Sequence, residues 1–271
     1  MQSLQLPNLS LWKVDASMKI YSEFNMDLEN KDLICFIGAG GKTTTMFQLA
    51  KELRDIGKKI LITTTTAIYF PSERDCDTIN ICESKNLEDL YNIKGGGITV
   101  IGKRVLSEGK LKGCDKEFVD EIYKRNIFDY VLVEGDGAKK KAIKAPAFYE
   151  PIIPECTTKT IGMIGLDVLG KPINEEIVHR SELFCKITDS KMNAIIDEGL
   201  LVQLITSQNG LFKDMPANSE KYLLLNKVST KELQNLTLKI VNILREKRMK
   251  LDKVIAGEIQ KKFIYGSWRI S

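Results

Sequence analysis

The sequence contains few of the residues from which metal centres and disulfide frameworks are built. Among 271 residues there are one histidine, two tryptophans and six cysteines, and no two cysteines stand in a C-x-x-C pair. Structural zinc sites and disulfide-rich folds depend on such spacings, so we expect neither. This use of cysteine is typical of a reducing compartment, and we expect a cytoplasmic protein.

Net charge and long apolar runs are also scarce. The 40 basic and 36 acidic residues leave a formal charge of +4 and are mixed along the chain, so no nucleic-acid partner is expected. The N-terminus lacks the basic start and apolar core of a secretory signal. No apolar stretch approaches the ~20 residues that a membrane helix needs, so no membrane partner is expected. The hydrophobic fraction of 43% indicates a globular protein with a substantial core.

Apolar runs and amphipathic segments alternate along the chain. The short apolar runs 32–37 and 59–63 predict buried strands, and apolar residues recur at helical spacing in 43–56. Continued alternation predicts an α/β fold with three layers and a mostly parallel central sheet. We expect 1–271 to be a single domain with a small substructure within 135–220. Further elements are predicted as strands at 78–82, 98–101, 130–134, 160–164, 222–226, 253–258 and 263–269, helices at 86–93, 115–125, 190–198, 200–206 and 230–247, and a hairpin at 103–113.

A glycine-rich turn joins the first predicted strand to the first predicted helix. Residues 37–45 read IGAGGKTTT, and this strand–turn–helix context is what a phosphate-binding loop requires. The predicted three-layer α/β fold is therefore similar to that of P-loop NTPases. Glycines let backbone N–H groups turn towards an anion, and the helix start adds unpaired N–H groups and a positive dipole. Lys42 is expected to act as a catalytic residue at the β- and γ-phosphates, and Thr43 to hold Mg²⁺. The predicted nucleotide-binding residues of the loop are Gly38, Ala39, Gly40, Gly41, Lys42, Thr43 and Thr44.

The spacing of this loop differs from the common G-x-x-x-x-G-K-[ST] motif, because the first glycine stands two residues late. The shorter loop resembles that of Mur-type ATP-dependent ligases. A glycine-rich turn with an incidental lysine is the alternative, and the order of strand, glycines, Lys-Thr and helix disfavours it.

A second motif ends in carboxylates. Residues 131–137 read VLVEGDG, and an apolar strand that ends in acidic residues is typical of a Walker-B strand. Glu134 and Asp136 stand two residues apart, so they are expected to face the same side. We predict both as catalytic residues and, together with Thr43, as ligands of Mg²⁺. The alternative is a solvated strand end followed by an Asp-Gly turn.

A third motif, Asn226-Lys227-Val228-Ser229, resembles the N-K-x-D motif with which GTPases recognise guanine. Ser229 stands in place of the aspartate and lacks its charge-assisted bidentate grip, so ATP and GTP both stay open as cofactors. Asn226 and Lys227 are predicted to contact the base. The alternative is a strand-to-helix junction that Ser229 caps.

Three further segments allow two interpretations each. Arg180 follows the single histidine and is predicted as a catalytic residue that neutralises phosphate, with a structural salt bridge as the alternative. The lysines at 139–141 and 144 follow the acidic motif and either dock an anionic second substrate or are simply solvated. The threonines at 63–66 either sense the nucleotide or are ordinary strand residues.

Five segments stand in consistent order over about residues 30–230, namely GAGGKTTTMFQLAKEL (38–53), ILITTTTAIYFP (60–71), VLVEGDGAKKKAIKAPAFYEPIIP (131–154), IGMIGLDVLGKPINEEIVHRSELF (161–184) and LLLNKVS (223–229). Together they resemble the YqeC family, described as accessory proteins of selenium-dependent molybdenum hydroxylases or as selenium-cofactor biosynthesis proteins. By motif match, residues 38–43 correspond to its phosphate loop, and Glu134 and Asp136 to its acidic strand end. Gly135 stands where the family often has alanine.

The resemblance implies a nucleotide-dependent factor in the maturation of molybdenum hydroxylases that carry selenium. Its implied ligands are a nucleoside triphosphate, ATP or GTP, with Mg²⁺. A selenium-type or molybdopterin-type anionic substrate and an apo-hydroxylase are the implied partners. These substrates follow from the resemblance alone.

Three functions stay open on the sequence. The leading hypothesis is an Mg²⁺-dependent nucleoside triphosphate-binding protein that hydrolyses the triphosphate in the service of hydroxylase maturation. The loop also fits an ATP-dependent kinase or ligase that acts on a small molecule. The third hypothesis is a non-enzymatic scaffold or chaperone that is gated by nucleotide.

Overall fold

A computed structural model of the protein describes residues 19–82, 88–91, 93 and 96–270, with residue 89 described by its backbone only. Strands and helices are numbered in chain order. The strands are β1 (Asp32–Gly38), β2 (Lys59–Thr64), β3 (Ala67–Tyr69), β4 (Thr78–Ile81), β5 (Gly97–Gly102), β6 (Arg104–Leu106), β7 (Lys110–Lys112), β8 (Tyr130–Glu134), β9 (Ile143–Lys144), β10 (Lys159–Gly165), β11 (Val178–His179), β12 (Glu220–Asn226), β13 (Lys253–Glu258) and β14 (Phe263–Trp268). The helices are α1 (Ile20–Glu23), α2 (Lys42–Arg54), α3 (Glu88–Tyr91), α4 (Lys116–Lys124), α5 (Ser181–Thr188), α6 (Glu198–Thr206) and α7 (Lys231–Glu246).

In the described part of the chain, nine strands form a central sheet in the order β14-β13-β12-β10-β1-β8-β2-β5-β4. Neighbouring strands run parallel from β13 to β4, and the edge strand β14 is antiparallel to β13. Alternate residues of β1 belong to two hydrophobic cores, with Leu33 and Ile37 in one and Ile34 and Phe36 in the other. A core on each face means that the sheet is covered on both sides. The predicted three-layer α/β fold with a mostly parallel sheet is therefore confirmed.

The strands predicted from apolar runs are confirmed, with small shifts at their ends. The predicted hairpin is confirmed as β6 and β7, and β3 joins β7 as a third antiparallel strand. The helix predicted at 86–93 lies partly outside the described residues, and Glu88–Tyr91 within it is helical. The long helix α7 is capped by Thr230 and not by Ser229, because Thr230 Oγ1 accepts a hydrogen bond from Leu233 N at 3.2 Å.

The helix predicted at 190–198 is wrong. This segment runs beside 170–173, with Asn193 N donating to Ile173 O at 2.8 Å and Ile196 N donating to Lys171 O at 2.9 Å. These long-range hydrogen bonds take the place of the i→i−4 bonds of a helix. The helix just before it, α5, was not predicted.

The division of the chain into domains stays a prediction. No helix among the described residues is both long enough and apolar enough to cross a lipid bilayer.

The glycine-rich loop lies at the carboxyl end of β1, between β8 and β10. The carboxyl ends of parallel strands meet at one edge of the sheet, where open α/β sheets bind their ligands. Gly40 has a φ of +88°, and a Cβ atom there would lie 2.2 Å from the backbone nitrogen of Gly165 at the end of β10. The loop is thus packed so closely on β10 that the position requires glycine.

Replacing Gly40 with alanine should destabilise the fold by more than its backbone conformation explains. Gly57→Ala is the matched control, because Gly57 has a similar φ of +81° but open space where its Cβ would be. We expect Gly57→Ala to lower the free energy of unfolding by about 1–2 kcal/mol and Gly40→Ala to lower it further, as measured by urea denaturation. Equal losses would contradict the close packing of the loop on β10.

Candidate functional site

The backbone N–H groups of the glycine-rich loop fall into two sets. Those of residues 38–40 donate within the protein, to Asp136 Oδ2 (3.0 Å), Met163 O (2.9 Å) and Lys141 O (3.2 Å) respectively. Those of residues 41–44 have no hydrogen-bond acceptor within the described part of the chain, and the next amide, that of Thr45, donates to Gly41 O at 2.9 Å. Free N–H groups at a helix start attract anions. The amides available to a phosphate are therefore those of residues 41–44.

Lys42 is the first residue of α2, and its side chain turns back into the protein. Its Nζ donates to Gly38 O at 2.5 Å and lies 3.0 Å from Asp136 Oδ1 and 3.9 Å from Glu134 Oε1. Burial opposes the charge of the ammonium group, but the two carboxylates outweigh it, so the pKa of Lys42 is raised. A charged ammonium group therefore lies where the loop, the helix and the acidic strand end meet.

A cavity of about 620 Å³ opens over the start of α2 and is termed the first cavity. Six lysines and one carboxylate contribute to its wall, so it favours an anionic ligand. The antiparallel strands β3, β7 and β6 are termed the small sheet. The wall is formed by residues 40–44 of the loop, residues 67–69 and Lys110 of the small sheet, residues 137–141, Glu134 and Lys227.

Thr43 and Glu134 form an oxygen pair on the wall of the first cavity, with Thr43 Oγ1 donating to Glu134 Oε2 at 2.6 Å. Burial raises the pKa of Glu134, and Lys42 and Thr43 oppose this shift. Mg²⁺ usually takes one or two carboxylates and completes its shell with phosphate oxygens and water. The oxygen pair therefore fits an Mg²⁺ ion that arrives with a triphosphate. Among the described residues, no group of three or more His, Cys, Asp or Glu side chains could hold a metal by itself.

Asp136 is held away from the first cavity by buried partners. Its Oδ2 accepts the Gly38 amide at 3.0 Å and lies 3.1 Å from Lys144 Nζ, while Oδ1 faces Lys42. Burial opposes the charge of Asp136, but Lys42 and Lys144 outweigh it and lower its pKa. The carboxylate is thus an ionised brace between the loop and Lys144. Of the three predicted metal ligands, it is the one that this geometry supports least.

The ion pairs continue from Lys144 away from the loop. Lys144 Nζ lies 2.5 Å from Glu150 Oε2, and Arg180 forms a bidentate pair with the same carboxylate at 2.8 and 3.0 Å. Lys42, Asp136, Lys144, Glu150 and Arg180 thus form a chain of alternating charges, of which all but Arg180 are buried. In this charge chain Arg180 forms a structural salt bridge with Glu150, which was the alternative interpretation of Arg180. The catalytic role of Arg180 stays a prediction.

A second cavity, of about 590 Å³, is lined by Arg180 and His179 and shares Gly137 and Lys139 with the first cavity. Burial, together with the nearby Arg180 and other cations, lowers the pKa of His179 to about 4. The imidazole is therefore neutral near neutral pH and adds no charge to the second cavity.

Asn226 braces the loop from the side of β12. Its Nδ2 donates to Gly40 O at 2.8 Å, and its Oδ1 accepts the Ile259 amide at 3.1 Å. Lys227 lines the first cavity and pairs with Asp167 Oδ2 at 2.9 Å. The motif thus lies beside the glycine-rich loop, with the Asn226 side chain engaged at both ends. A contact of Asn226 and Lys227 with a base stays a prediction.

The threonines at the end of β2 use their hydroxyl groups within the protein. Their Oγ1 atoms donate to backbone oxygens, Thr63 to Ile101 O (2.9 Å), Thr64 to Glu134 O (2.7 Å) and Thr65 to Ile152 O (2.7 Å). These bonds tie β2 to its neighbours, which favours the interpretation as ordinary strand residues.

Several residues of the site have no clear signal in the sequence. The lysines 139–141 line the first cavity, but Lys144 from the same charge run is buried, with Glu150 as a partner that was not predicted. Tyr69 and Lys110 also line the first cavity. The hairpin was predicted, but its pairing with β3, which brings Lys110 opposite Tyr69, is a long-range register that apolar patterning does not encode.

Lys144→Met should destabilise the protein strongly, because two buried carboxylates each lose a cation. We expect a loss of about 3 kcal/mol in the free energy of unfolding near neutral pH, measured by urea denaturation. Burial by itself would raise the pKa values of Asp136 and Glu150, but the neighbouring cations outweigh burial and hold both pKa values below their ordinary values. Stability from a lowered acid pKa is present above the ordinary value and lost as the pH falls through the folded value, so the loss should shrink at acidic pH.

Lys116→Met is the control for this variant, because Lys116 forms an exposed pair with Glu155 at 2.7 Å. Removing an exposed pair should cost less than about 1 kcal/mol. Equal losses of stability in the two variants would contradict the conclusion that Lys144 is needed to pair the buried carboxylates of Asp136 and Glu150.

Two comparisons with known proteins bear on the identity of the chain. The family described as YqeC protein matches residues 34–182, which contain the glycine-rich loop, the acidic strand end and the charge chain. The uncharacterized protein YqeC of Escherichia coli (strain K12) is 30% identical over 197 residues, which cover 73% of this chain and 76% of that relative. The chain therefore belongs to the YqeC family.

Proposed function

We propose that the protein is an Mg²⁺-dependent nucleoside triphosphate-binding protein and triphosphatase, and an accessory factor in the maturation of selenium-dependent molybdenum hydroxylases. One observation carries the nucleotide part of this proposal. The first cavity, of about 620 Å³ and lined by six lysines, lies over the free amides of residues 41–44 at the start of α2. A polyphosphate has the charge and the acceptor oxygens that such a site satisfies.

Each part of the site has a role in this proposal. The amides of residues 41–44 bind the β-phosphate, and Lys42 offers its ammonium group to the β- and γ-phosphates. Thr43 and Glu134 would hold Mg²⁺, which would neutralise charge on the phosphate oxygens. Glu134 also orients the attacking water. Asp136 keeps Lys42 and the Gly38 amide in position.

The maturation part of the proposal is supported by the sequence resemblance to the YqeC family. Its partners would be a selenium-type or molybdopterin-type anionic substrate and an apo-hydroxylase, in the cytoplasm. The exposed Lys139 and Lys140 lie on the wall of the first cavity and offer positive charge to such an anion.

A kinase or ligase that acts on a small molecule is the second candidate. The observation that favours it is the extent of the first cavity, which continues past the loop to Tyr69 and Lys110 and so has room for a reaction partner. A small acid that stimulates stoichiometric ADP release would favour this candidate over a triphosphatase.

Lys42→Ala should abolish measurable binding of nucleoside triphosphates, because it removes the ammonium group proposed to bind the β- and γ-phosphates. The measurement is calorimetric titration of ATP, GTP and CTP, with and without Mg²⁺. Lys250→Ala is the control for loss of one positive charge, because exposed Lys250 precedes β13 at the opposite edge of the sheet. Its affinity for triphosphates should equal that of the wild type.

Lys42 is buried against Asp136, so a thermal melt of the Lys42→Ala variant must accompany the titration. If that variant is unfolded, the wild-type titration still decides. A wild-type protein that binds none of the three triphosphates with Mg²⁺ present would contradict the proposal.

Glu134→Gln should lower the turnover rate by about 100-fold or more, because the carboxylate proposed to hold Mg²⁺ and to orient water is replaced by a neutral group of the same shape. Phosphate release under saturating ATP and GTP measures this rate. Glu52→Gln is the matched control, because Glu52 is another buried glutamate that accepts the Ile20 amide at 2.6 Å, away from the first cavity. If the wild-type protein binds a triphosphate but does not hydrolyse it, the result would instead favour the nucleotide-gated scaffold.

A further inference from the structure

One side of the first cavity is formed by Tyr69, Lys110 and Lys140, which together are termed the tyrosine subsite. We propose that the tyrosine subsite binds the anionic group, a carboxylate or a phosphate, of a second small-molecule substrate while the loop holds the triphosphate. This inference rests on the proposed function, because it supplies the nucleotide with a reaction partner of stated chemical class.

The register of the small sheet fixes two residues of the tyrosine subsite. Tyr69 of β3 is the direct partner of Lys110 of β7 in an antiparallel ladder, so their side chains lie on one face. Lys110 Nζ lies 5.8 Å from the centroid of the Tyr69 ring. Lys140 reaches the same ring from another segment, with its Nζ 4.3 Å from the centroid. Two ammonium groups therefore converge on one aromatic ring that is 54% exposed.

The six lysines of the first cavity differ in their partners. Four have acceptors in the protein, namely Lys42 with Asp136, Lys227 with Asp167, Lys141 with Glu176 O and Lys110 with the solvent-exposed Glu108. Lys139 and Lys140 form no hydrogen bond or ion pair with any described residue. Positive charge without a partner in the described part of the chain is thus found at Lys140 of the tyrosine subsite and at the neighbouring Lys139. An incoming anion would relieve the repulsion between these cations.

The backbone that carries Lys140 is held in a costly conformation. Lys139 and Lys140 are consecutive residues with φ of 46° and 61°, and the left-handed region is unfavourable for a residue with a side chain. Such strain persists where the surroundings enforce it, often at functional sites. Here the Gly40 amide donates to Lys141 O at 3.2 Å, which ties the turn to the phosphate loop. The fold therefore places Lys140 over Tyr69 in a position set by the loop itself.

The test is a calorimetric titration of inorganic phosphate, and separately of malonate, into protein saturated with Mg²⁺ and a non-hydrolysable triphosphate. We expect one anion to bind with the nucleotide in place, and the tighter of the two to identify a phosphate or a carboxylate substrate. The double variant Lys110→Gln/Lys140→Gln should bind that anion about tenfold or more weakly, because two charge-assisted contacts are lost. Its triphosphate affinity should fall by less than its affinity for the anion, because Lys42 and the amides of residues 41–44 are unchanged.

Lys112→Gln is the matched control, because Lys112 lies on the same strand but outside the wall of the first cavity. It should leave anion binding unchanged. An anion that binds only when the nucleotide is absent would belong to the phosphate loop and would overturn the proposal, as would a double variant that binds the anion like the wild type.

Failure of the proposed function gives a different result from failure of the tyrosine subsite. If no triphosphate binds, the proposed function fails, and the same anions are then titrated into the protein alone. Loss of anion binding in the Lys110→Gln/Lys140→Gln variant but not in Lys112→Gln would still support the tyrosine subsite. Equal binding by both variants, or no binding of either anion to the wild type, would overturn it.

Discussion

The site depends on one buried carboxylate, Asp136, that lies between two buried ammonium groups. Its oxygens lie 3.0 Å from Lys42 Nζ and 3.1 Å from Lys144 Nζ, and it also accepts the amide of Gly38. A buried charge is tolerated only when it is paired and hydrogen-bonded. The start of the loop, the first residue of α2 and the segment after β8 are therefore held together by one electrostatic requirement.

Each carboxylate of the charge chain is paired with two cations, which leaves one of the two free to turn to a ligand. Asp136 has two cations, Lys42 and Lys144, and Glu150 also has two, Lys144 and Arg180. If a phosphate draws the ammonium group of Lys42 towards itself, Asp136 still keeps Lys144. A lysine in a buried ion pair would otherwise leave an unpaired carboxylate when it turned to a ligand, at a cost of several kcal/mol. The second lysine thus makes the first one available.

The sequence predicts those parts of the structure that depend on local pattern. The strand, glycine turn and helix around Lys42 follow from apolar spacing and glycine positions, as does the parallel α/β architecture. What the sequence does not predict depends on partners far along the chain. The segment 190–198 has helical spacing but bonds to 170–173 instead, and Lys144 belongs to a surface-like lysine run but pairs with Asp136 and Glu150. Composition and period describe one segment at a time, whereas both outcomes are decided by tertiary contacts.

The short spacing of the glycine loop is explained by what surrounds it. The segment after β8 holds the loop through Asp136 on Gly38, β10 through the close approach of Gly165 to Gly40, and β12 through Asn226 on Gly40 O. Asp136 Oδ2, Met163 O and Lys141 O use the amides of residues 38–40, so few loop amides are left to face the first cavity. The structure offsets that shortage with lysine side chains, which line the first cavity from the segment after β8, from the small sheet and from the end of β12. Loop amides act over one hydrogen-bond length, whereas ammonium groups on long side chains act over a wider space. Under the proposed function, a site built in this way would fix one phosphate rigidly and leave the rest of the first cavity adaptable to a second anion.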